Sequence, residues 1–278
     1  MFKILGLIVG VLLLLIVLGG GLFVYKVKNG FPVSYETDPA DISIPQEGIK
    51  VLLFSKTTGF RHGESIQAAK EVFGRISTEK GWFLYNTESA GVFNSEQLNQ
   101  FNVVIFNNST GRVLTDEQRL VLQEYVENGG KLIGIHGAGD DSHHWDWYET
   151  HLLGAKFSHH PLNPQLQEAQ VSLQPGIDSV LSRDLAKEWV HTDEWYVFFE
   201  DPASRGFQIL YSIDGDKILP SGNLLFIKSK EFGMGKNHPV AWFKKTGKGK
   251  TFYTSMGHNA TAWGEEAFIQ MLINAIEW

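Results

Sequence analysis

The chain has 278 residues, 43% hydrophobic and 13% aromatic, enough to bury a core in one large domain or two small ones. Its net charge of −7 argues against nucleic acid as a main partner, because phosphate binding needs a basic surface. With no cysteine, disulfides, thiolate metal sites and cysteine catalysis are excluded together.

Residues 4–24 carry no charged or strongly polar side chain, and about 20 apolar residues span a bilayer. Gly19-Gly20-Gly21 is a weak cleavage site at best, since Leu22-Phe23-Val24-Tyr25 continues the apolar run, so an uncleaved anchor is the expectation. Lys3 on one flank and Lys26 and Lys28 on the other decide orientation poorly. A short N-terminal tail normally stays in the cytoplasm, which puts the large domain outside. The expected organisation is an anchor over 1–28, a tether over 29–48 rich in turn signals, and one α/β domain over 49–278.

Within that domain, residues 50–55 read as a short apolar strand, followed by a loop through Arg61 and His62. The spacing of Ile66, Ala69, Val72, Phe73 and Ile76 predicts a helix over 64–80. Strands are expected at 82–85 and 102–106, with a short helix capped by Ser95 between them. Thr115-Asp116-Glu117-Gln118 is a capping box that opens a helix ending at Asn128-Gly129-Gly130. Residues 131–135 form a fourth strand. Strands alternating with helices at this spacing indicate a parallel sheet covered on both faces. Beyond Asp140 the pattern changes: a helix is expected over 145–153, strands over 167–173, 206–213, 240–244 and 250–254, and an amphipathic helix over 265–277. The loop-rich stretch 158–237 elaborates one side of the sheet.

The fourth strand runs into Gly134-Ile135-His136-Gly137-Ala138-Gly139-Asp140. In open α/β sheets ligands bind at the carboxyl ends of the strands, and small-residue turns there lift one side chain into the crevice. The lifted side chain here is His136. His62, after the first strand, and His258, after a late one, belong to the same edge and are expected to share its cleft. His160, His191 and His238 also sit in loops or at strand ends. His143 and His144, in a polar run, are expected to face solvent. Asp193-Glu194-Trp195-Tyr196 reads either as an edge strand with an exposed acidic pair or as acids beside a sugar-stacking platform. Trp147 offers a second aromatic face, and Arg61 is either a substrate clamp or the partner of a nearby acid.

Phe60-Arg61-His62, the His136 turn, Trp147-Tyr148, Gly154-Ala155-Lys156-Phe157 and His160-Pro161 occur in order. They are followed by Asp193-Glu194-Trp195-Tyr196, His238-Pro239-Val240-Ala241-Trp242, residues 249–254 and Gly257-His258. With these motifs the chain resembles the ThuA-like family, associated with trehalose utilisation, within the class I glutamine amidotransferase-like superfamily. The resemblance covers about residues 50–278. It implies a flavodoxin-like α/β three-layer sandwich with a mostly parallel central sheet, and a link to trehalose-type disaccharides and 3-keto sugars. Glutaminase activity does not carry over, because His136 stands where amidotransferases place their cysteine.

Two functions follow as expectations. The first is an enzyme acting on a carbohydrate or keto glycoside by acid–base chemistry. The base is His136 or His62, Asp193 or Glu194 is its orienter or a partner acid, His258 belongs to the same catalytic group, and Arg61, Trp147, His160, Trp195, Tyr196 and His238 hold the substrate. A divalent metal on histidine and carboxylate is a second way to supply the electrophile, although no His-Glu-x-x-His spacing points to one. The second is a membrane-tethered carbohydrate-binding module without catalysis. Both predict a carbohydrate partner and a membrane contact through the N-terminal segment.

Overall fold

Short apolar runs bounded by turn residues assemble into one large sheet, and its strand directions position the polar residues. The structure, a computed structural model, describes residues 2–31, 35–177, 180–219 and 235–278. In chain order the elements are α1 (Phe2–Asn29), β1 (Lys50–Phe54), α2 (Gly63–Lys80), β2 (Phe83–Thr87), α3 (Ser95–Leu98), β3 (Val103–Asn107), α4 (Asp116–Glu127) and β4 (Lys131–Ile135). Then come α5 (Asp146–Tyr148), β5 (Phe157–His159), β6 (Gln167–Leu173), β7 (Glu188–Asp193), β8 (Val197–Phe198), β9 (Gln208–Ile213), β10 (His238–Thr246), β11 (Gly249–Thr254) and α6 (Glu266–Glu277).

Nine strands lie in the order β2-β1-β3-β4-β11-β10-β9-β6-β7, while β5 and β8 pair separately. Pairing is parallel from β2 to β11 and antiparallel from β11 to β7. The sheet is therefore mixed, with a parallel half and an antiparallel extension. Four successive reversals return β7 to the direction of β11, so its carboxyl end lies on the same edge as those of β1, β4 and β11.

The core has two layers because strand side chains alternate between faces. Val51 and Leu53 point into one layer with Ala69 and Phe73 of α2 and Phe268, Met271 and Leu272 of α6. Leu52 and Phe54 point into the other with Leu122, Tyr125 and Val126 of α4. Burial on both faces is why these strands read as continuous apolar runs. The capping box forms: the Gln118 backbone N–H donates to Thr115 Oγ1 (3.2 Å), and the Thr115 N–H donates to Gln118 Oε1 (2.9 Å).

Several expectations change. Residues 145–153 form the short α5 followed by a wider-wound turn. It is closed by the Gly154 N–H donating to the Glu149 carbonyl (2.8 Å), with Gly154 at φ +66°. A Cβ on Gly154 would lie 2.4 Å from the Phe207 ring, so the stop is dictated by packing as well as by φ. The edge strand offered for Asp193-Glu194-Trp195-Tyr196 lies earlier, as β7, which ends at Asp193 and pairs antiparallel with β6. Residues 220–234 of the loop-rich stretch lie outside the described residues. Residues 32–34 do too, while Asn29 closes α1 and residues 35–48, without helix or strand, are docked against the domain. Gln118 Nε2 donates to the Glu36 carbonyl (2.8 Å), the Ala40 N–H donates to Gln97 Oε1 (3.0 Å), and Ala40, Ile42 and Ile44 pack on the core.

Candidate active site

Four loops at the carboxyl edge deliver the polar cluster. After β1, His62 is the residue that precedes α2. His136 follows β4 directly, Glu194 follows β7, and His258 lies four residues beyond β11. One donor atom from each of His62, His136, Glu194 and His258 lies within 4.8 Å of the others. His136 and Glu194 are enclosed, with side-chain exposures of 0% and 3%, whereas His258 (18%) and His160 (27%) open toward solvent.

The His136 turn is built around close approaches. His136 adopts φ +44°, a left-handed conformation that a non-glycine residue holds only where its surroundings impose it. Tyr253 Oη donates to the His136 carbonyl (2.8 Å), and a Cβ on Gly139 would sit 2.0 Å from that hydroxyl. The Gly137 N–H donates to Asn108 Oδ1 (3.1 Å), and a Cβ on Gly137 would crowd His62 Nδ1 at 3.0 Å. These contacts explain the run of small residues after β4.

Hydrogen bonds settle the tautomer of His136. Its Nδ1 lies 2.6 Å from the Ser255 carbonyl, which can only accept, so Nδ1 carries the proton and donates. Nε2 then faces Glu194 Oε2 at 3.3 Å and His258 Nδ1 at 3.1 Å. His258 Nδ1 is 3.1 Å from Glu194 Oε2, and His160 Nδ1 is 3.0 Å from Oε1. Buried His62 Nδ1 has no hydrogen-bond partner among the described residues.

The electrostatics follow from burial and from these contacts. Burial pushes the His62 pKa well below the usual imidazole range, helped by neighbouring His136 and His258. Burial works against ionisation of Glu194, but its contacts with His136, His160 and His258 outweigh it and hold the carboxyl well below its ordinary value. For His160 and His258 desolvation likewise opposes protonation, and the bond to Glu194 outweighs it, raising both.

Asp193 stands behind the cluster rather than in it. Its carboxylate accepts the backbone N–H groups of Gly257 (2.6 Å), His258 (3.0 Å) and Glu194 (2.8 Å), and His191 Nε2 lies 2.8 Å away. His191 Nδ1 in turn lies 2.8 Å from Glu265 Oε2. Asp193 thus ties β7 to the loop carrying His258. Neither Glu265 nor Asn108 was singled out in the sequence. For Asn108 the polar run Asn107-Asn108-Ser109-Thr110 after β3 was the available signal.

The other candidates lie elsewhere. Arg61 is exposed and forms a two-pronged pair with Glu88 (3.0 and 2.8 Å), the acid-partner alternative. Trp147 stacks on His151 and Trp145 and donates to Glu127 (3.2 Å), outside the cluster. Trp195 is fully buried and donates to the Gln167 carbonyl (2.8 Å), so it presents no open face to a sugar. Buried Tyr196 packs its ring 4.4 Å from that of His136, as a wall of the cluster. His238 is buried with Nε2 2.8 Å from the Tyr196 carbonyl and supports that wall from behind. The acidic pair is buried, not exposed. His143 is buried too, against Phe106 and Tyr148, and donates to the Ser109 carbonyl (2.9 Å). A cavity of about 210 Å³ lined by Asp140, Trp145, Tyr148, Lys156 and Phe157 adjoins the site through Phe157, whose ring lies 4.6 Å from that of Tyr196.

A mixed α/β sheet with a histidine–glutamate cluster at the carboxyl ends of its strands defines the class, an α/β protein whose candidate site lies at the sheet's edge. More particularly, the chain belongs to the ThuA family, described as trehalose utilisation, which matches residues 50–278. Among solved structures it is similar to a ThuA-like protein from Bacteroides uniformis, at 22% identity and a TM-score of 0.67, covering 90% of this chain and 95% of that one. A ThuA-like protein from Parabacteroides merdae is 18% identical with a TM-score of 0.61, covering 84% and 90%. A cytoplasmic protein from Salmonella typhimurium is 11% identical with a TM-score of 0.53, covering 82% and 98%. At these identities the likeness is one of fold. No curated protein matches the chain.

Proposed function

We propose that the protein is an enzyme acting on a trehalose-type disaccharide or its 3-keto derivative by acid–base chemistry at the histidine–glutamate cluster. The observation that carries the reading is Glu194, a buried carboxylate in contact with His136, His160 and His258 at 3.0–3.3 Å. Family membership supports a carbohydrate-related role, and the cluster supplies what such chemistry requires. A ketone acidifies the neighbouring C–H bond. Neutral imidazole at the open side, His258 or His160, takes that proton, and the C–H electron pair moves onto the carbonyl oxygen as an enolate. The enolate either takes a proton back on carbon, which isomerises the sugar, or expels a β-placed glycosidic oxygen. In the second case the imidazolium returns its proton to the leaving oxygen. Glu194 holds the imidazoles in place throughout.

The binding-module alternative needs open aromatic faces, and Trp195 and Tyr196 are both buried. The test is a screen of trehalose, other disaccharides and their 3-keto forms with the full chain, following products by NMR. Turnover of a keto sugar is expected, and Glu194→Gln or His258→Ala should lower it about 10²–10⁴-fold with circular dichroism unchanged. Saturable binding with the sugar unaltered after long incubation favours the binding module instead.

A further inference from the structure

We infer that His62, His136, Glu194 and His258 form a binding site for one divalent first-row transition ion of the zinc class. His136 and Glu194 face one another without a proton to share. Since His136 Nδ1 donates to the Ser255 carbonyl, neutral His136 presents a lone pair at Nε2, and that lone pair faces a carboxylate oxygen at 3.3 Å. Two acceptors at that distance repel unless a proton or a cation lies between them. His258 Nδ1 completes the triangle, 3.1 Å from each.

The dimensions fit an ion. Donors about 2.0–2.1 Å from a tetrahedral centre lie about 3.3 Å from one another, close to the 3.1–3.3 Å edges among His136, Glu194 and His258, and a His62 nitrogen lies within 4.8 Å of all three. His62 is the independent witness. It is 92% buried, being 8% exposed, and its Nδ1 has no hydrogen-bond partner among the described residues. Three imidazoles and one carboxylate suit zinc and its neighbours better than magnesium or calcium, which prefer all-oxygen shells.

The surroundings are also those of a metal centre. The ligand's second nitrogen is anchored, as in His136 Nδ1 to Ser255, and the His258 loop is fixed by Asp193, as outer-shell partners of metal sites are. A bound ion would supply the electrophile for a carbonyl oxygen. That role rests on the carbohydrate reading above, whereas binding of the ion does not.

The test uses the full chain in detergent, stripped with a chelator and titrated with Zn²⁺ alone by calorimetry, with Co²⁺ as a spectroscopic probe. One ion per chain is expected, together with the visible ligand-field bands of Co²⁺ in a low-coordinate nitrogen–oxygen site. Glu194→Gln, which preserves shape, and His258→Ala should each weaken Zn²⁺ binding at least about 100-fold, given that outer-shell changes alone cost 10–100-fold. His151→Ala, a histidine stacked on Trp147 outside the cluster, should leave it unchanged. Absence of saturable Zn²⁺ uptake, or uptake indifferent to both ligand variants, overturns the site. Zn²⁺ bound without sugar turnover would retain this site and reject the carbohydrate reading. Sugar turnover by a chain that takes up no Zn²⁺ would do the reverse.

Discussion

His143 lies enclosed between the rings of Phe106 and Tyr148, and burial pushes its pKa down to about 4. Nearby Arg119 adds to the shift, while the bond to the Ser109 carbonyl opposes it. In the unfolded chain the same imidazole titrates near 6.5. Between pH 6.5 and 4 the unfolded state therefore binds more protons, so stability falls as pH falls through that window. A shift of this size corresponds to about 3 kcal/mol lost across it. His143→Gln keeps an N–H for the Ser109 carbonyl and removes the titration. Denaturant unfolding from pH 7 to 4 should fall less steeply in the variant by that amount, and parallel curves would show that His143 is not neutral in the fold.

At the scale of elements, β7 is what completes the site, and Asp193 at its end is the joint. Its carboxylate is fully buried, accepts three backbone N–H groups and contacts His191, so burial, which alone would raise its pKa, is outweighed by His191 and the pKa is lowered. In Asp193→Asn one amide edge turns an N–H toward groups that only donate. The expected cost is about 2–4 kcal/mol by denaturant unfolding, with Zn²⁺ affinity down about 10–100-fold because the His258 loop is released. Unchanged affinity would mean that the loop holds its shape without Asp193.

This joint also shows where the sequence stops being informative. His62 and His136 follow apolar runs that alternation with helices already assigns to parallel strands whose ends share one edge, and His258 follows a further apolar run. Glu194 could not be placed the same way, because β7 reaches that edge only through β10, β9 and β6, antiparallel pairings that no local pattern encodes. Trp195 illustrates a different limit. A tryptophan beside acids has the same local pattern over a cleft as in a core, and the Gln167 carbonyl that takes its N–H is 28 residues away in sequence.

For the whole molecule, the relation of α1 to the domain decides how the site meets a membrane. Among the described residues one helix, Lys3–Asn29, is long and apolar enough to cross a bilayer, with mean hydropathy 3.0 and none of its most apolar window buried. Its 27 residues measure about 40 Å against a hydrocarbon core of about 30 Å, so a turn or more remains outside. That remainder is fastened to the domain: His144 Nε2 donates to the Lys28 carbonyl (3.0 Å), and the Phe31 N–H donates to the Thr58 carbonyl (3.3 Å). Thr58 belongs to the loop that carries His62, so an anchored chain would hold this edge of the sheet against the lipid surface, with Phe31 and Phe60 exposed beside it. If α1 is an anchor, the full chain should stay with membranes through an alkaline carbonate wash. A chain beginning at residue 35 should be recovered in the soluble fraction, with its unfolding midpoint lowered only by the loss of those few bonds. N-terminal sequencing separates the alternative, since a cleaved signal would yield a mature chain starting near Gly21. In that case the contact of Lys28 would survive, but nothing would hold the His62 loop to the bilayer.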